Sequence, residues 1–291
     1  LEDGSVTSGG AAALRQAILL ATGGLIGLIA LGETRRKNDN DREAAESLQK
    51  HQQDTLTQQK KQFEEQLEKQ QKQFEANAYK DRKAERRERY TKAIEQLGDE
   101  KSSVRMGGVY TLVGLVDEWL EEENLSENKR LKEGQVIINN LCAYIRSPFT
   151  LASHYDELKQ DNPGTEGVYQ DKVQEFYADK ATLNSEADVR LGIIKEIHDR
   201  LRGPKEETPG TWSYFEYDFS GSVFFYPVDL TKSYYKKPIN FSGSTYQEEA
   251  YFSGSTYKSW AYFTDSTYQA LAYFSSSIYQ GGAYFGGSTY Q

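Results

Sequence analysis

Four patterns of apolar and polar positions follow one another along the chain, and each predicts a different element. Ala17 to Leu31 (AILLATGGLIGLIAL) is apolar throughout, as in a helix that faces no water. From Asn38 to Leu97 the apolar residues thin to a narrow stripe within a run of Gln, Lys and Glu that holds no Pro or Gly, which predicts one long helix. Between residues 98 and 203 apolar residues recur at helical spacing, as in Val136–Ile145 (VIINNLCAYI). From Asn240 to Gln291 the period changes, and aromatic residues fall alternately five and six apart.

That last pattern is an eleven-residue unit repeated nearly five times: NFSGSTYQEEA, YFSGSTYKSWA, YFTDSTYQALA, YFSSSIYQGGA, YFGGSTYQ. Its aromatics are Phe241, Tyr246, Phe252, Tyr257, Phe263, Tyr268, Phe274, Tyr279, Phe285 and Tyr290. Two residues before each of these from Tyr246 onward stands Ser or Ala: Ser244, Ala250, Ser255, Ala261, Ser266, Ala272, Ser277, Ala283 and Ser288. Residues two apart share one side of an extended backbone, so small and large groups alternate along an inner wall. The intervening Tyr251, Thr256, Tyr262, Thr267, Tyr273, Ile278 and Tyr284 point outward. Ser-Gly, Thr-Asp, Ser-Ser and Gly-Gly pairs supply turns. The segment reads as short strands stacked in coils about 4.8 Å apart, with room beside each ring only for a small group. A disordered Tyr/Ser/Gly tract is the alternative, and the matched small and large positions argue against it.

Ala250-Tyr-Phe-Ser-Gly-Ser-Thr-Tyr257 resembles the pentapeptide-repeat proteins, in the variant whose units run A-x-F-S-G-x-T-F. The resemblance implies a right-handed, quadrilateral β-helix, expected over 219–291, with Phe219, Phe224 and Leu230 in an irregular first coil. Tyr in every second core position departs from that pattern, and a buried phenol needs a partner for its hydroxyl. Ala93-Ile-Glu-Gln-Leu-Gly98, Val104-Arg-Met-Gly-Gly-Val-Tyr-Thr-Leu112 and Cys142-Ala-Tyr-Ile-Arg146 extend the likeness to bacterial membrane-anchored members. The implied fold class is a multi-part α plus β-solenoid chain. It comprises an extracytoplasmic tail (1–10), a transmembrane helix (11–32), a coiled-coil-like stalk (38–97), an all-α domain (98–203), a linker (204–218) and the β-helix.

Fifteen apolar residues rise about 22 Å, short of a hydrocarbon core of about 30 Å, so the span is extended to 11–32, with Arg15 snorkelling at one end. Arg35, Arg36 and Lys37 follow the span and Glu2 and Asp3 precede it, which places the C-terminal bulk in the cytoplasm of a single-pass plasma-membrane protein. A signal peptide and a buried soluble helix are the rival readings. Gly23 and Gly27 have the spacing that lets two membrane helices approach closely. In the stalk, Leu56, Leu67 and Ala78 recur every eleven residues, as do Phe63 and Phe74, which suits a nearly straight bundle. So thin a stripe predicts self-association through the transmembrane helix and stalk, with a solitary solvated stalk as the alternative. The basic stretch Lys80–Arg89 is broken by acids at helical spacing and reads as a salt-bridged face.

The blocks that begin at Ser103 and Asp188 resemble each other, with Ser102 and Ser185 as expected caps and Gly107 and Gly192 as expected close-approach positions. Of the 291 residues 21 are Tyr and one is Cys; Cys142 excludes an internal disulfide and suits a reducing compartment. Three His and one Cys leave no zinc-type spacing. The net charge of −9 is dispersed and argues against a nucleic-acid partner. His154–Glu157 and His198-Asp199 each pair a base with carboxylates, but no nucleophile elbow or phosphate loop accompanies them, so no enzyme activity and no cofactor are expected. The chain opens on Leu1 and stops at Gln291 within a repeat, so further sequence is expected at both ends. The favoured function is a membrane-tethered cytoplasmic scaffold that displays the β-helix to a protein partner. Two alternatives stand: a membrane effector in stress or phage defence acting through transmembrane oligomerisation, and a topoisomerase regulator that mimics DNA. The repeats offer the last of these only Glu248, Glu249 and Asp265 against Lys258.

Overall fold

A computed structural model describes the backbone of residues 8–291 and the side chains of 13–291; the residues before Ser8, most of the expected extracytoplasmic tail, lie outside them. The chain divides into two units, Leu1–Asp81 and Arg82–Gln291.

The first unit is helical. Helix α1 runs from Ser8 to Leu97 without a break, so the apolar span and the polar stalk are one helix. Thr22 and Thr34 stay within it by donating to the Ile18 and Ala30 carbonyls, each at 2.7 Å. By length and composition it is apolar enough near its N-terminus to cross a membrane. Leu19, Leu20, Leu25, Ile26 and Leu28 are exposed, as are Leu48, Leu56, Phe63, Leu67 and Phe74 further along.

The second unit joins the end of α1 to α2 (Ser102–Leu120), α3 (Glu127–Arg146), a 3-10 turn (Thr150–His154), α4 (Tyr155–Leu158) and α5 (Val173–Leu201). Val109, Leu112 and Val116 of α2, Ile138, Leu141 and Ile145 of α3, and Val189, Ile193 and Ile197 of α5 form the helical core. Ser185 does not start a helix. It lies inside α5, because Phe176 and Leu183 upstream are buried and carry the helix past a residue that locally favours a cap. Gly192 is a close-approach position, since a Cβ there would meet Met106 Cε at 2.1 Å. In α2 that role falls to Gly108 and not Gly107: a Cβ on Gly108 would meet the Ala93 carbonyl oxygen at 2.7 Å, and one on Gly107 meets nothing within 4 Å. The basic stretch is salt-bridged, but to other helices. Arg86 and Arg89 pair with Glu118 at 3.4 and 2.7 Å, and Arg86 reaches Glu122 at 2.9 Å.

The breakers after Arg202 close a tight turn, with Arg202 bridged to Pro209. Trp212 and Phe215, within the expected linker, are fully buried. From Tyr217 the chain winds as a parallel β-solenoid of two-residue strands in four ladders. The first ladder holds Tyr217–Asp218, Ile239–Asn240, Ala261–Tyr262 and Ala283–Tyr284. The second holds Val223–Phe224, Thr245–Tyr246, Thr267–Tyr268 and Thr289–Tyr290. The third holds Val228–Asp229, Ala250–Tyr251 and Ala272–Tyr273, and the fourth Tyr234–Tyr235, Thr256–Tyr257 and Ile278–Tyr279. Ala250 pairs with Ala272, so one turn takes two eleven-residue units. Phe252 N–H donates to the Tyr273 carbonyl and Thr256 N–H to the Ser233 carbonyl, both at 2.8 Å. The first coil is regular: Phe219 stacks on Phe241 at 5.3 Å and Phe224 on Tyr246 at 4.9 Å. Aromatics spaced 22 residues apart meet whether or not they belong to the clean repeat.

Candidate functional site

The inner wall is built from the repeat aromatics. Phe241, Tyr246, Phe252, Tyr257, Phe263 and Tyr268 are buried, Phe274 and Tyr279 half-buried, and Phe285 and Tyr290 exposed. Rings stack turn on turn, with centroids at 5.3 Å for Phe241–Phe263, 5.1 Å for Phe252–Phe274, 4.8 Å for Tyr246–Tyr268 and 4.9 Å for Tyr257–Tyr279. The serines beside them are more than small. Ser244, Ser255, Ser266, Ser277 and Ser288 donate to the carbonyls of Phe219, Leu230, Phe241, Phe252 and Phe263, one coil earlier. The hydroxyls of Tyr235, Tyr246, Tyr257, Tyr268 and Tyr279 lack a protein partner. Burial raises the pKa of each.

The outer wall differs between ladders. On the third, Tyr251 and Tyr273 stack at 5.0 Å with an interplanar angle of 1°. Tyr262 and Tyr284 stack at 5.3 Å on the first, and Trp260 joins them against Tyr284 at 5.6 Å. Gly282, at φ +125°, makes this possible. It stands one turn above Trp260, and a Cβ there would lie 2.8 Å from the indole ring. Trp260, Leu271, Tyr273 and Tyr284 are exposed. The second and fourth ladders carry Thr245, Thr267, Ile278 and Thr289 there instead, while Thr256, expected to face out, is buried.

The helices hold the solenoid by its first coils. Asp117 accepts from Trp212 Nε1 at 2.7 Å and from Arg200 Nη2 at 2.8 Å. Arg146 pairs with Asp218, and Tyr155 donates to Glu248 at 2.5 Å. Buried Arg190 donates to Glu186 at 2.7 Å and to the Ile145 and Ser147 carbonyls at 2.8 and 2.9 Å.

The sequence's ionisable clusters are dispersed. His198 Nε2 lies 2.7 Å from the Thr231 carbonyl oxygen, while Asp199 pairs with Lys195 at 2.5 Å. Around His154, Asp156 pairs with Lys159 at 2.9 Å and Glu157 accepts from Val168 N–H at 2.9 Å. Burial pushes the Cys142 thiol up to about 12, far from a reactive thiolate. Among the described residues no group of His, Cys, Asp and Glu has the arrangement of a metal site. Gly23 and Gly27 lie on the exposed part of α1, and a Cβ on either meets nothing within 4 Å. The stacked outer tyrosines were legible from the repeat, but the part of Trp260 was not, since its partners lie one turn away. In comparisons by sequence and by structure, no protein family, no curated protein and no solved structure matches this chain.

Proposed function

We propose that the chain is a non-enzymatic scaffold, tethered to the plasma membrane by its N-terminal helix, that presents a pentapeptide-type β-helix to a protein partner in the cytoplasm. The observation that carries this reading is the outer aromatic strip of Trp260, Tyr262 and Tyr284, stacked across turns, with Trp260 and Tyr284 open to solvent and Tyr262 half-buried beneath them. Ordered Trp and Tyr give large contact area at small entropic cost, as protein-binding surfaces require. Four ladders followed in strict rotation, with Ala or Ser two residues before each repeat ring from Tyr246 onward, support the quadrilateral form of the helix. The bilayer is the fitting environment for Leu19, Leu20, Leu25, Ile26 and Leu28, which stand exposed on a helix apolar all round. Arg35, Arg36 and Lys37 set the cytoplasmic side, and the exposed stripe on the stalk is the surface for self-association, with Gly23 and Gly27 aiding close approach in the membrane.

The test is crosslinked co-purification from bacterial membranes with the full chain and with Trp260→Ala, Tyr284→Ala. The pair should lose the specific partner while the membrane fraction and sheet content stay unchanged. Recovery of the same partners by both chains would sink the assignment of this face.

A further inference from the structure

One corner of the solenoid is charged differently from the rest. The bends that lead from the fourth ladder to the first, 236–238, 258–260 and 280–282, stack on one another. Tyr235, Tyr257 and Tyr279 are in register before them, and Ile239, Ala261 and Ala283 after them. These bends hold Lys236, Lys237 and Lys258 and no acid. Lys236 donates to the Tyr214 hydroxyl at 2.7 Å and feels the charge of Glu127. Lys237 and Lys258 are exposed, and among the described residues neither pairs with a carboxylate, whereas Lys232 is taken by Glu206 at 2.6 Å. Acids around this corner are few or engaged. Glu216 stands at its base, one turn below Pro238, and Asp218 on the first ladder is held by Arg146. Asp265 belongs to the next turn, and Glu248 and Glu249 lie on the opposite bend, between the second and third ladders.

The aromatic strip runs up this same corner. Trp260 occupies the middle bend and Gly281 and Gly282 the one above it. Neither glycine admits a side chain: a Cβ on Gly281 would meet the Ser259 carbonyl carbon at 2.4 Å, and one on Gly282 the indole at 2.8 Å. The outer rim of Trp260 is therefore left bare, 45% exposed, with Lys237 one turn below it and open backbone above. Tyr262 and Tyr284 stand beside it on the first ladder, stacked at 5.3 Å. Stacking along the solenoid axis turns ring faces toward the neighbouring turns and ring edges and hydroxyls toward solvent. The edge is the positive part of an aromatic ring's quadrupole, and a phenol donates. The strip and the lysines thus favour the same sign of charge in a partner.

We propose that this corner binds an acidic segment of the protein partner, with carboxylates on Lys237, Lys258 and the ring edges and an apolar side chain against Trp260. Two turns of the solenoid rise about 10 Å, which about three extended residues cover, so the recognised unit is short: acidic residues around one apolar residue. A nucleic-acid strand carries the same sign of charge, but its bases need open ring faces to stack on, and here the stacking between turns takes those faces up. This rests on the scaffold reading above and adds the chemistry of what the scaffold holds.

Trp260 is the one exposed tryptophan of three, Trp119 and Trp212 being buried, so it reports on its own corner. The full chain in uncharged detergent is titrated with a Glu-Leu-Glu repeat peptide, its Gln-Leu-Gln counterpart and single-stranded oligothymidylate, and acrylamide quenching of the indole is followed. The Glu peptide should protect Trp260, and the Gln peptide at the same concentration should not. Lys237→Glu with Lys258→Glu should weaken the Glu peptide about tenfold and pass the protection to a Lys-Leu-Lys peptide. The ratio of iodide to caesium quenching, which reads the local charge, should fall in that variant, and circular dichroism checks that its sheet is intact. Equal protection by the Glu and Gln peptides, or none by the Glu peptide at millimolar concentration, overturns the charge recognition. Tighter protection by the oligonucleotide overturns it in favour of nucleic acid. In the crosslinked co-purification, the lysine variant should lose the partner that Trp260→Ala, Tyr284→Ala loses. A partner lost only by the aromatic variant keeps the scaffold reading and sinks this one. A partner kept by both sinks the reading on which it rests.

Discussion

The serines of the inner wall separate two accounts of why the repeat needs a small residue there. If only space matters, Ser→Ala is harmless at every coil. The hydrogen bonds say otherwise, and unequally. Ser255 Oγ donates to the Leu230 carbonyl at 2.9 Å and accepts the Ser233 N–H at 3.2 Å. Ser255→Ala leaves both backbone groups without those partners in the core; at about 1–3 kcal/mol for each orphaned group, the loss should be about 2–4 kcal/mol. Ser266 donates to the Phe241 carbonyl at 3.0 Å, but that oxygen also accepts the Ser244 N–H at 3.1 Å. Ser266→Ala should therefore cost only about 1 kcal/mol. Equilibrium denaturation, followed by the sheet signal in circular dichroism and by tryptophan fluorescence, measures both. Equal losses, or losses within about 0.5 kcal/mol of zero at both sites, would refute the hydroxyl's role and return the position to sterics.

Two further outcomes follow from buried polar groups. The core phenols have folded pKa values raised by burial, so the neutral form is favoured in the folded chain. Their contribution is complete below the ordinary tyrosine range near pH 10 and is lost as pH rises through it; ultraviolet titration should show these phenolates forming only as the sheet signal collapses, and smooth titration with the sheet intact would contradict the packing. Arg190→Met takes the nearer cation from Glu186, which keeps Arg105 at 3.3 Å, and removes the donor from the Ile145 and Ser147 carbonyls; it should destabilise by about 2–4 kcal/mol in the same denaturation experiment, and a loss under about 0.5 kcal/mol would contradict the network.

What the sequence made legible depended on how far a residue's partner lies along the chain. The eleven-residue period carried the strands, the turns and the inner wall, because each unit meets a copy of itself. The long helix was legible from composition, and its unbroken course through the apolar span only needed Thr22 and Thr34 to close on their own carbonyls. Contacts between unlike segments were not legible. Ser255 looked merely small because its acceptor, Leu230, lies in the previous coil. Ser185 looked like a cap because the buried Phe176 upstream outweighs local preference. Gly107 and Gly108 are adjacent and chemically identical, and only the path of α1 past Ala93 decides which of them admits a neighbour. The same division runs through the function. A repeat shows in its own letters which side faces out, so Tyr251, Tyr262, Tyr273 and Tyr284 could be assigned to the exterior. It does not show that Gly282 opens space for Trp260, which turns a row of tyrosines into a continuous aromatic strip.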